Sequence, residues 1–306
     1  MPDEPRVVVA GHLDVDRITT ETGTREGLLG GSAVYTALAA SIRSPPVGLV
    51  GTTCADYPYH RFEEAADGRL RPDLVRVLGS QRRNHLDYTV ETEGPSDRTT
   101  HTYSTEQWRE RTELHAPRHV PQIREGEVFH LSPMLPRYQR LYAEWAHDRG
   151  FTVSLDTSEY YAANLADELA DVVRRADLLV LSEVEFEHLY PGFIEEPRRY
   201  VDRLLDGGPD VVVVRQGEDG CLVAGGDSYR SFDALPANVV DPTGAGDSFN
   251  GGFVSAYAES SLTEACTHAI ATAKRCIEDV GVRGLIDASL TEIERDAAAV
   301  THTDWR

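Results

Sequence analysis

The residues that most clearly suggest chemistry lie in the run DPTGAGD, residues 241–247. An apolar strand is predicted just before it, at 238–240. Phe249, Phe253 and Tyr257 recur every four residues after it, which predicts a helix that begins near the glycines. The first N–H groups of a helix lack helical partners and form its positive end, so small residues there let an anion approach closely. An anion cradle beside the carboxylate of Asp247 is suited to phosphoryl transfer onto a hydroxyl, with Asp247 taking the proton.

Two better-known phosphate motifs are excluded, and one simpler explanation of Asp247 stays open. A P-loop needs a lysine after its second glycine, but Lys274 is the only lysine and no such glycine spacing precedes it. The dinucleotide fingerprint needs glycine at position 249, which is Phe249. The simpler explanation of Asp247 is that a carboxylate in the first turn stabilises the helix dipole.

The run DPTGAGDSF resembles the signature of the ribokinase-like (PfkB) carbohydrate kinase family, which usually reads D-T-x-G-A-G-D. Gly30-Gly31, at the head of a small-residue helix, resembles a second landmark of that family. The resemblance implies an α/β fold, a ribokinase-like three-layer sandwich with a mostly parallel central sheet and a small β lid. It implies an ATP- and Mg²⁺-dependent kinase acting on a hydroxyl of a sugar or related polyol. The alternatives are a nucleoside or inositol kinase of this family, and a non-catalytic nucleotide- or sugar-binding protein.

The resemblance also implies roles for the residues of the run. Asp247 corresponds to the general base, and the backbone of Gly244, Ala245 and Gly246 corresponds to the anion hole. Thr243 shapes the turn and could contact phosphate.

Three further segments resemble the family's nucleotide and metal sites. Ser182 and Glu185 resemble its N-x-x-E motif, which places Mg²⁺, although serine stands where the family has asparagine. A capping box, in which Ser182 and Glu185 cap a helix, explains the same pair. The loop from Arg215 through Gly217 to Gly220 resembles the nucleotide-side loop, and a tight hairpin turn explains it equally well. Ala273 belongs to a small-residue helix expected to flank adenine, unless its alanines serve only helix packing.

The acceptor side is expected near the first strand. Asp16 fits the family's acid that binds two acceptor hydroxyls, whereas Asp14 is interpreted as an exposed acid. Gly30 and Gly31 belong to a family motif G-G-x-x-x-N, but its last position is Tyr35 here. A phenol replaces an amide that both donates and accepts hydrogen bonds, which suggests a different polyol, a stacked ring or a nucleoside.

Alternating apolar strands and periodic helices indicate how these residues are positioned. Strands are predicted over 6–10, 47–51, 74–78, 127–131, 151–156, 177–182, 211–215, 221–224 and 228–232. Helices are predicted over 32–43, 138–149 and 163–176, and two closing helices begin with capping boxes at Ser261 and Ser289. This alternation predicts a mostly parallel sheet covered on both faces, with ligands at the carboxyl ends of its strands.

One domain over 1–306 is expected because no linker-like break interrupts the pattern. Segments 85–91 and 98–104 flank a turn signal at 94–97 and are polar on both faces, so a hairpin outside the main sheet is predicted. By the resemblance, segments 12–29 and 82–110 are candidates for the lid, and a homodimer through the lid is possible.

Composition restricts the partners. The net charge is −21, and the 30 basic residues are Lys274 and 29 arginines. Such a charge opposes binding to nucleic acid and to anionic membranes. It suggests a salty cytoplasm, because at ~1 M salt repulsion is screened beyond about 3 Å. GC-rich codon usage would explain the missing lysines but not the excess of acids.

Further features agree with a cytoplasmic protein. The four cysteines show no CxxC pairing, which favours free thiols. No signal peptide, membrane-spanning segment or histidine metal motif is predicted.

Overall fold

The strands alternate with helices along most of the chain. The computed structural model describes residues 4–55, 57–78, 85–91, 98–101, 119, 121, 123, 125–226 and 228–305. The strands of this part are β1 Val7–His12, β2 Asp14–Thr20, β3 Gly23–Gly30, β4 Val47–Cys54, β5 Leu70–Arg71, β6 Val75–Leu78, β7 His85–Glu91, β8 Arg98–His101, β9 Val128–Leu131, β10 Thr152–Leu155, β11 Leu178–Ser182, β12 Val211–Arg215, β13 Cys221–Gly225, β14 Ser228–Phe232 and β15 His302–Asp304.

The helices of the same part are α1 Ser32–Ser41, α2 Tyr59–Ala66, α3 Pro136–His147, α4 Glu159–Asn164, α5 Ala166–Val173, α6 Glu183–Leu189, α7 Pro197–Leu205, α8 Ala245–Tyr257, α9 Leu262–Ile277, α10 Arg283–Ile286 and α11 Leu290–Ala297. Short 3₁₀ turns lie at Pro72–Leu74 and Gly217–Asp219. The predicted capping boxes at Ser261 and Ser289 are present at the starts of α9 and α11. None of the helices described here combines the length and the apolar character needed to cross a bilayer.

The main sheet is mostly parallel, as predicted. In the described part of the chain it runs β15-β14-β13-β12-β11-β10-β9-β1-β4-β5, with β6 also paired to β4. All pairs from β12 through β4 to its partners β5 and β6 are parallel, and only the β12 to β15 end is antiparallel. The carboxyl ends of β10, β11 and β12 therefore lie side by side at one edge of the sheet.

Helices cover both faces of this sheet, which makes three layers. Alternate residues of β1 enter different cores: Val7 and Val9 pack with α1, α8 and α9, whereas Val8 and Ala10 pack with α3 and α5. Helices α1 and α8 approach closely because Gly251 has no side chain; a Cβ there would lie 2.2 Å from the Thr36 carbonyl oxygen. Thr36 also donates a hydrogen bond to the Asp247 carbonyl at 3.1 Å, so this packing fixes the start of α8.

A second, four-stranded sheet has the order β3-β2-β7-β8. Strands β7 and β8 pair antiparallel outside the main sheet, as predicted; the turn signal at 94–97 and residues 102–104 fall outside the described residues. Strand β2 and all of β3 except Gly30 lie within the segment 12–29. The sheet contacts the body of the protein through a small apolar cluster of Ile18, Val90 and Val280.

Three predicted elements differ from the structure. The strand predicted at 238–240 is a loop, because the Val240 and Asp241 N–H groups donate to the Ile277 carbonyl at the end of α9 rather than to a strand. The helix predicted at 163–176 is two helices, α4 and α5, separated at Leu165, whose backbone leaves the helical region. Helices do not close the chain, since β15 follows α11 and pairs with β14, which would otherwise expose unpaired backbone groups at the edge of the sheet.

Candidate active site

The run 241–247 forms a turn that leads into α8. Gly244 is the residue before the helix and has φ +77°, a left-handed conformation that glycine adopts without strain. The Ala245 N–H donates to the Pro242 carbonyl at 3.1 Å, and the Ser248 N–H donates to the Gly244 carbonyl at 2.8 Å. The N–H groups of Gly246 and Asp247 have no acceptor four residues back within the helix. These two N–H groups, rather than that of Ala245, are free to meet an anion.

The two glycines of this turn make room for different side chains. A Cβ on Gly244 would lie 2.1 Å from the ring of Tyr35, so this ring packs directly on the Gly244 backbone. A Cβ on Gly246 would lie 2.4 Å from Nη1 of Arg215. The guanidinium of Arg215, from the end of β12, therefore lies against the first turn of α8.

Asp247 lies within dense protein and is partly exposed to the cavity. Burial raises the pKa of Asp247 from 3.8 to about 6, with Glu185 adding to the rise and the positive charge of Arg215 opposing it. Its carboxylate form consequently accepts a proton more readily than a surface aspartate does.

Arg215 is the centre of a buried ionic network. Its Nη2 donates to Asp156 Oδ1 at 2.9 Å and to Glu185 Oε2 at 3.1 Å. Asp156 Oδ1 also accepts from the Thr157 N–H at 2.8 Å, and Oδ2 accepts from Asn250 Nδ2 at 2.6 Å. Burial raises the pKa of Asp156, and the Arg215 guanidinium opposes that rise. The carboxylate of Asp156 thus connects the ends of β10 and β12, which lie on either side of β11, to α8.

Glu185 serves the local structure as well as lining the cavity. Ser182 caps α6: its Oγ accepts from the Glu185 N–H at 3.3 Å, and Glu185 Oε2 accepts from the Ser182 N–H at 2.7 Å. Among the described residues no group of three or more His, Cys, Asp or Glu side chains could hold a metal ion by itself. Mg²⁺ in kinases is held by one or two carboxylates, waters and substrate phosphates, so Glu185 at the cavity wall fits that weaker requirement.

The acids that follow β1 differ in their surroundings. Asp14 is buried and lines the cavity, so its interpretation as an exposed surface acid is wrong. Asp16 is fully buried outside the cavity lining, and neither of its carboxyl oxygens has a hydrogen-bond partner among the described residues. Burial, followed by Asp14, Asp241 and Asp247, raises the pKa of Asp16 well above its ordinary value. Gly30 leaves space for this carboxyl group, since a Cβ there would lie 2.0 Å from Asp16 Oδ2.

Gly31 and Tyr35 both line the cavity. Gly31 precedes α1 with φ +93°, and a Cβ there would lie 2.4 Å from the His12 carbonyl oxygen. The Tyr35 hydroxyl is buried without a hydrogen-bond partner in the described part of the chain. Burial, with a smaller contribution from Asp16, raises the pKa of Tyr35 well above its ordinary value, so the hydroxyl keeps its proton.

The loop after β12 combines two glycines with different surroundings. Gly217 has φ +58° and nothing within 4 Å of the position of a Cβ, so its backbone is open to a ligand. Glycine is needed at position 220 for packing, because a Cβ there would lie 2.0 Å from the Phe232 carbonyl oxygen. Asp241 accepts from the N–H groups of Thr243 at 3.0 Å and Gly281 at 2.8 Å, which ties the turn before α8 to the loop after α9.

One cavity of about 530 Å³ joins these groups. All the sequence-predicted site residues line it except Asp16 and Gly30. Sequence reasoning missed several residues of the lining: His12, Asp14, Ser32, Tyr88, Pro133, Asp156, Thr157, Ser158, Tyr161, Pro242 and Phe249. The sequence did contain a signal for Asp156, because this acid directly follows a buried apolar strand. Arg215 has a similar position, at the end of the next strand but one in the sheet.

Comparisons with known proteins agree with this fold. The family model of pfkB family carbohydrate kinases matches residues 29–288. A cytidine kinase of Thermococcus kodakarensis is 29% identical over 267 residues, which cover 85% of this chain and 91% of that protein. The structure of Burkholderia thailandensis nucleoside kinase in complex with inosine has a TM-score of 0.77 at 18% identity and covers 96% of this chain and 98% of that one. An E. coli protein solved with ATP and Mg²⁺ has a TM-score of 0.76 at 16% identity and covers 96% and 99% of the two chains.

Proposed function

The chain belongs to the pfkB family of carbohydrate kinases, and we propose that it transfers a phosphoryl group from ATP to a hydroxyl of a nucleoside. The observation that carries the choice of acceptor is the likeness to a cytidine kinase along nearly the full length of both chains. The sequence motifs favoured a sugar or polyol first and a nucleoside second. The likeness reverses that order, and Tyr35 in place of the family's asparagine agrees with it.

Asp247 is the proposed general base. It lies in the first turn of α8 beside the unpaired N–H groups of Gly246 and Asp247 itself, so a hydroxyl and a phosphoryl group could meet there. Its pKa of about 6 leaves it mostly ionised at neutral pH yet basic enough to share the proton of an attacking hydroxyl. Helix-dipole stabilisation explains the acid's position but not its burial among other acids.

The donor nucleotide is proposed to lie between the loop after β12 and the start of α8. The open backbone of Gly217, the wall formed by Thr243 and Ala273, and the helix start all face the same cavity. Bound Mg²⁺ would neutralise phosphate charge, and Glu185 is the residue proposed to hold its water shell. Anion-hole N–H groups then need to stabilise only the charge that develops during transfer.

The acceptor is proposed to lie on the side of Asp14, Asp16 and Tyr35. Both carboxyl oxygens of Asp16 are buried and have no partner among the described residues, and an unpaired buried carboxyl is unfavourable until donors reach it. Acceptor hydroxyls are such donors. We propose further that 1–306 is one kinase domain and that the second sheet, which carries Asp16, is its lid and excludes water when it closes.

The test is a phosphorylation screen with ATP and Mg²⁺ at high salt. Cytidine, other nucleosides, ribose, fructose and inositol would be compared by ADP release and by the mass of the product. Nucleoside phosphorylation that disappears in Asp247→Asn supports the proposal. Phosphorylation of sugars but of no nucleoside would show that the protein is a sugar kinase instead. Nucleotide binding without turnover on any acceptor would favour the non-catalytic binding protein.

A further inference from the structure

We infer that Arg215 is a catalytic residue that contacts the transferred phosphoryl group, and that Asp156 is the positioning residue that holds it there. This inference rests on the proposed kinase function. Arg215 uses Nη2 for both of its hydrogen bonds, to Asp156 and Glu185. Nη1 makes no hydrogen bond to any described residue, and Nε is buried without a partner. One edge of the guanidinium is therefore anchored while the Nη1 side keeps its donors unused.

The unused side faces the anion-binding turn. Nη1 lies close enough to Gly246 that a Cβ there would meet it at 2.4 Å. Gly246 has no positive φ, so its backbone conformation does not require glycine. The absence of a side chain at 246 instead lets a guanidinium lie beside the free N–H groups at the start of α8, where an anion would bind both.

The charge of the cavity gives this contact its importance. Arg215 is the only lysine or arginine among the described residues that line the cavity, whereas Asp14, Asp156, Glu185 and Asp247 also line it. Lys274 is engaged outside the lining, by Asp296 at 2.7 Å and Glu278 at 3.4 Å. Among the described residues, Arg215 is therefore the one that can supply the cavity with the fixed positive charge that a lysine supplies in a P-loop.

Asp156 controls where that charge lies. Its carboxylate accepts from Arg215, from the Thr157 N–H and from Asn250, with all three donors within 2.9 Å. Asn250 is one helical turn after Asp247 on α8. Asp156 thus connects the cation from β12 to the helix that carries the proposed base, although Asp156 itself is 2% exposed and does not need to touch a substrate.

The first experiment measures binding without turnover. Dissociation constants of AMP-PNP and of ADP would be determined by calorimetry, with Mg²⁺ present, for wild type, Arg215→Gln and Arg215→Lys. We expect Arg215→Gln to weaken AMP-PNP at least tenfold while ADP changes less than threefold, because only AMP-PNP carries a γ-phosphoryl group. Arg230→Gln, whose parent arginine bonds Thr263 outside the cavity, is the matched control and should bind both as wild type does.

The second experiment measures turnover. Arg215→Ala should lose roughly 100-fold or more in kcat, and added guanidinium ion should restore part of it. Asp156→Asn should lower kcat with the acceptor KM little changed, whereas Asp156→Glu, which keeps the charge, should recover part of the loss. Gly246→Ala should resemble Arg215→Lys, since the first displaces the guanidinium from the turn and the second removes it. Thermal unfolding of every variant shows whether it is folded.

The outcomes separate this inference from the proposed function. Equal AMP-PNP affinity in folded wild type and Arg215→Gln overturns the inference, even if the wild type is an active kinase. Absence of turnover on every acceptor overturns the kinase function, and the AMP-PNP to ADP comparison then still shows whether Arg215 contacts a γ-phosphoryl group. If Arg215→Gln does not fold, Arg215→Lys and Gly246→Ala provide the same comparison, and wild-type behaviour in both overturns the inference.

Discussion

Replacing Asp247 with asparagine should lower activity and raise stability together. Burial places the pKa of Asp247 near 6 in the folded protein, against an ordinary value of 3.8. In the unfolded chain the group ionises near the ordinary value, so folding opposes its ionisation. A difference of about two pKa units corresponds to roughly 3 kcal/mol at most. Because Asp247 is partly exposed to the cavity, we expect on the order of 1–3 kcal/mol.

The direction of the Asp247 pKa shift determines the pH range over which its effect on stability appears. Below about pH 4 Asp247 is protonated in both the folded and the unfolded protein, so its raised pKa does not reduce the stability of the fold. Stability is lost as pH rises from about 4 to about 6, where the folded group must ionise, and the loss is complete above that range. Asparagine cannot ionise, so Asp247→Asn should unfold several degrees higher than wild type at pH 8 and at nearly the same temperature at pH 4.

Ionisation of Asp247, which lowers stability, should raise catalytic activity. The wild-type kcat should rise with pH through an apparent pKa near 6, so that at pH 5 about one tenth of the plateau rate remains. Asp247→Asn should lose about 10²- to 10⁴-fold in kcat while retaining ATP binding. Differential scanning fluorimetry and initial rates over the same buffers measure both effects.

A surface acid supplies the control for Asp247. Asp148→Asn, at the exposed end of α3, should change neither quantity. Near-normal turnover of Asp247→Asn would refute the role of Asp247 as base. A stability gain in this variant that persists at pH 4 would refute the electrostatic explanation of its stability.

Three further predictions concern the acceptor, the metal and the salt. Asp16→Asn should raise the acceptor KM about tenfold or more and leave the ATP KM within twofold, since acceptor hydroxyls are its proposed partners; steady-state kinetics with both substrates varied would contradict this if only the ATP KM moved. Glu185→Gln should raise the Mg²⁺ concentration needed for half-maximal rate, and an unchanged Mg²⁺ titration would remove Glu185 from the metal site. With a net charge of −21, ATP affinity and thermal stability should increase toward ~1 M KCl, and a maximum of both below ~0.1 M would contradict adaptation to salt.

Local patterns were sufficient to predict most elements of the main sheet. The strand at 211–215 has its predicted bounds, and the capping boxes at Ser261 and Ser289 start helices where the sequence places them. These signals are local: a run of β-branched residues, or a serine three residues before a glutamate. Leu165 shows the limit, because apolar periodicity continues through it while its backbone breaks the helix and lets Tyr161 and Leu169 pack in one cluster.

The sequence predicted only those parts of the candidate site whose residues lie close together in the chain and form a motif. The glycine run, Asp247 and the pair Ser182 and Glu185 are such cases, and both readings of that pair stay compatible with the structure. Asp156 was missed because its importance depends on Arg215, 59 residues away, and Asn250, 94 residues away. The carboxyl ends of β10 and β12, which lie on either side of β11, and the start of α8 bring these side chains together, and one sequence does not specify that arrangement.

The turn before α8 therefore combines three physical requirements within GAG. Gly244 supplies a left-handed backbone and a surface for the ring of Tyr35, Ala245 closes the turn with its own N–H, and Gly246 admits the guanidinium of Arg215. The loop alone offers neutral donors, which suit a developing charge but hold a triphosphate weakly. The charge comes from a strand end elsewhere in the sequence, so the phosphate affinity of this site should depend on contacts across the carboxyl edge of the sheet more than on the residues of the loop.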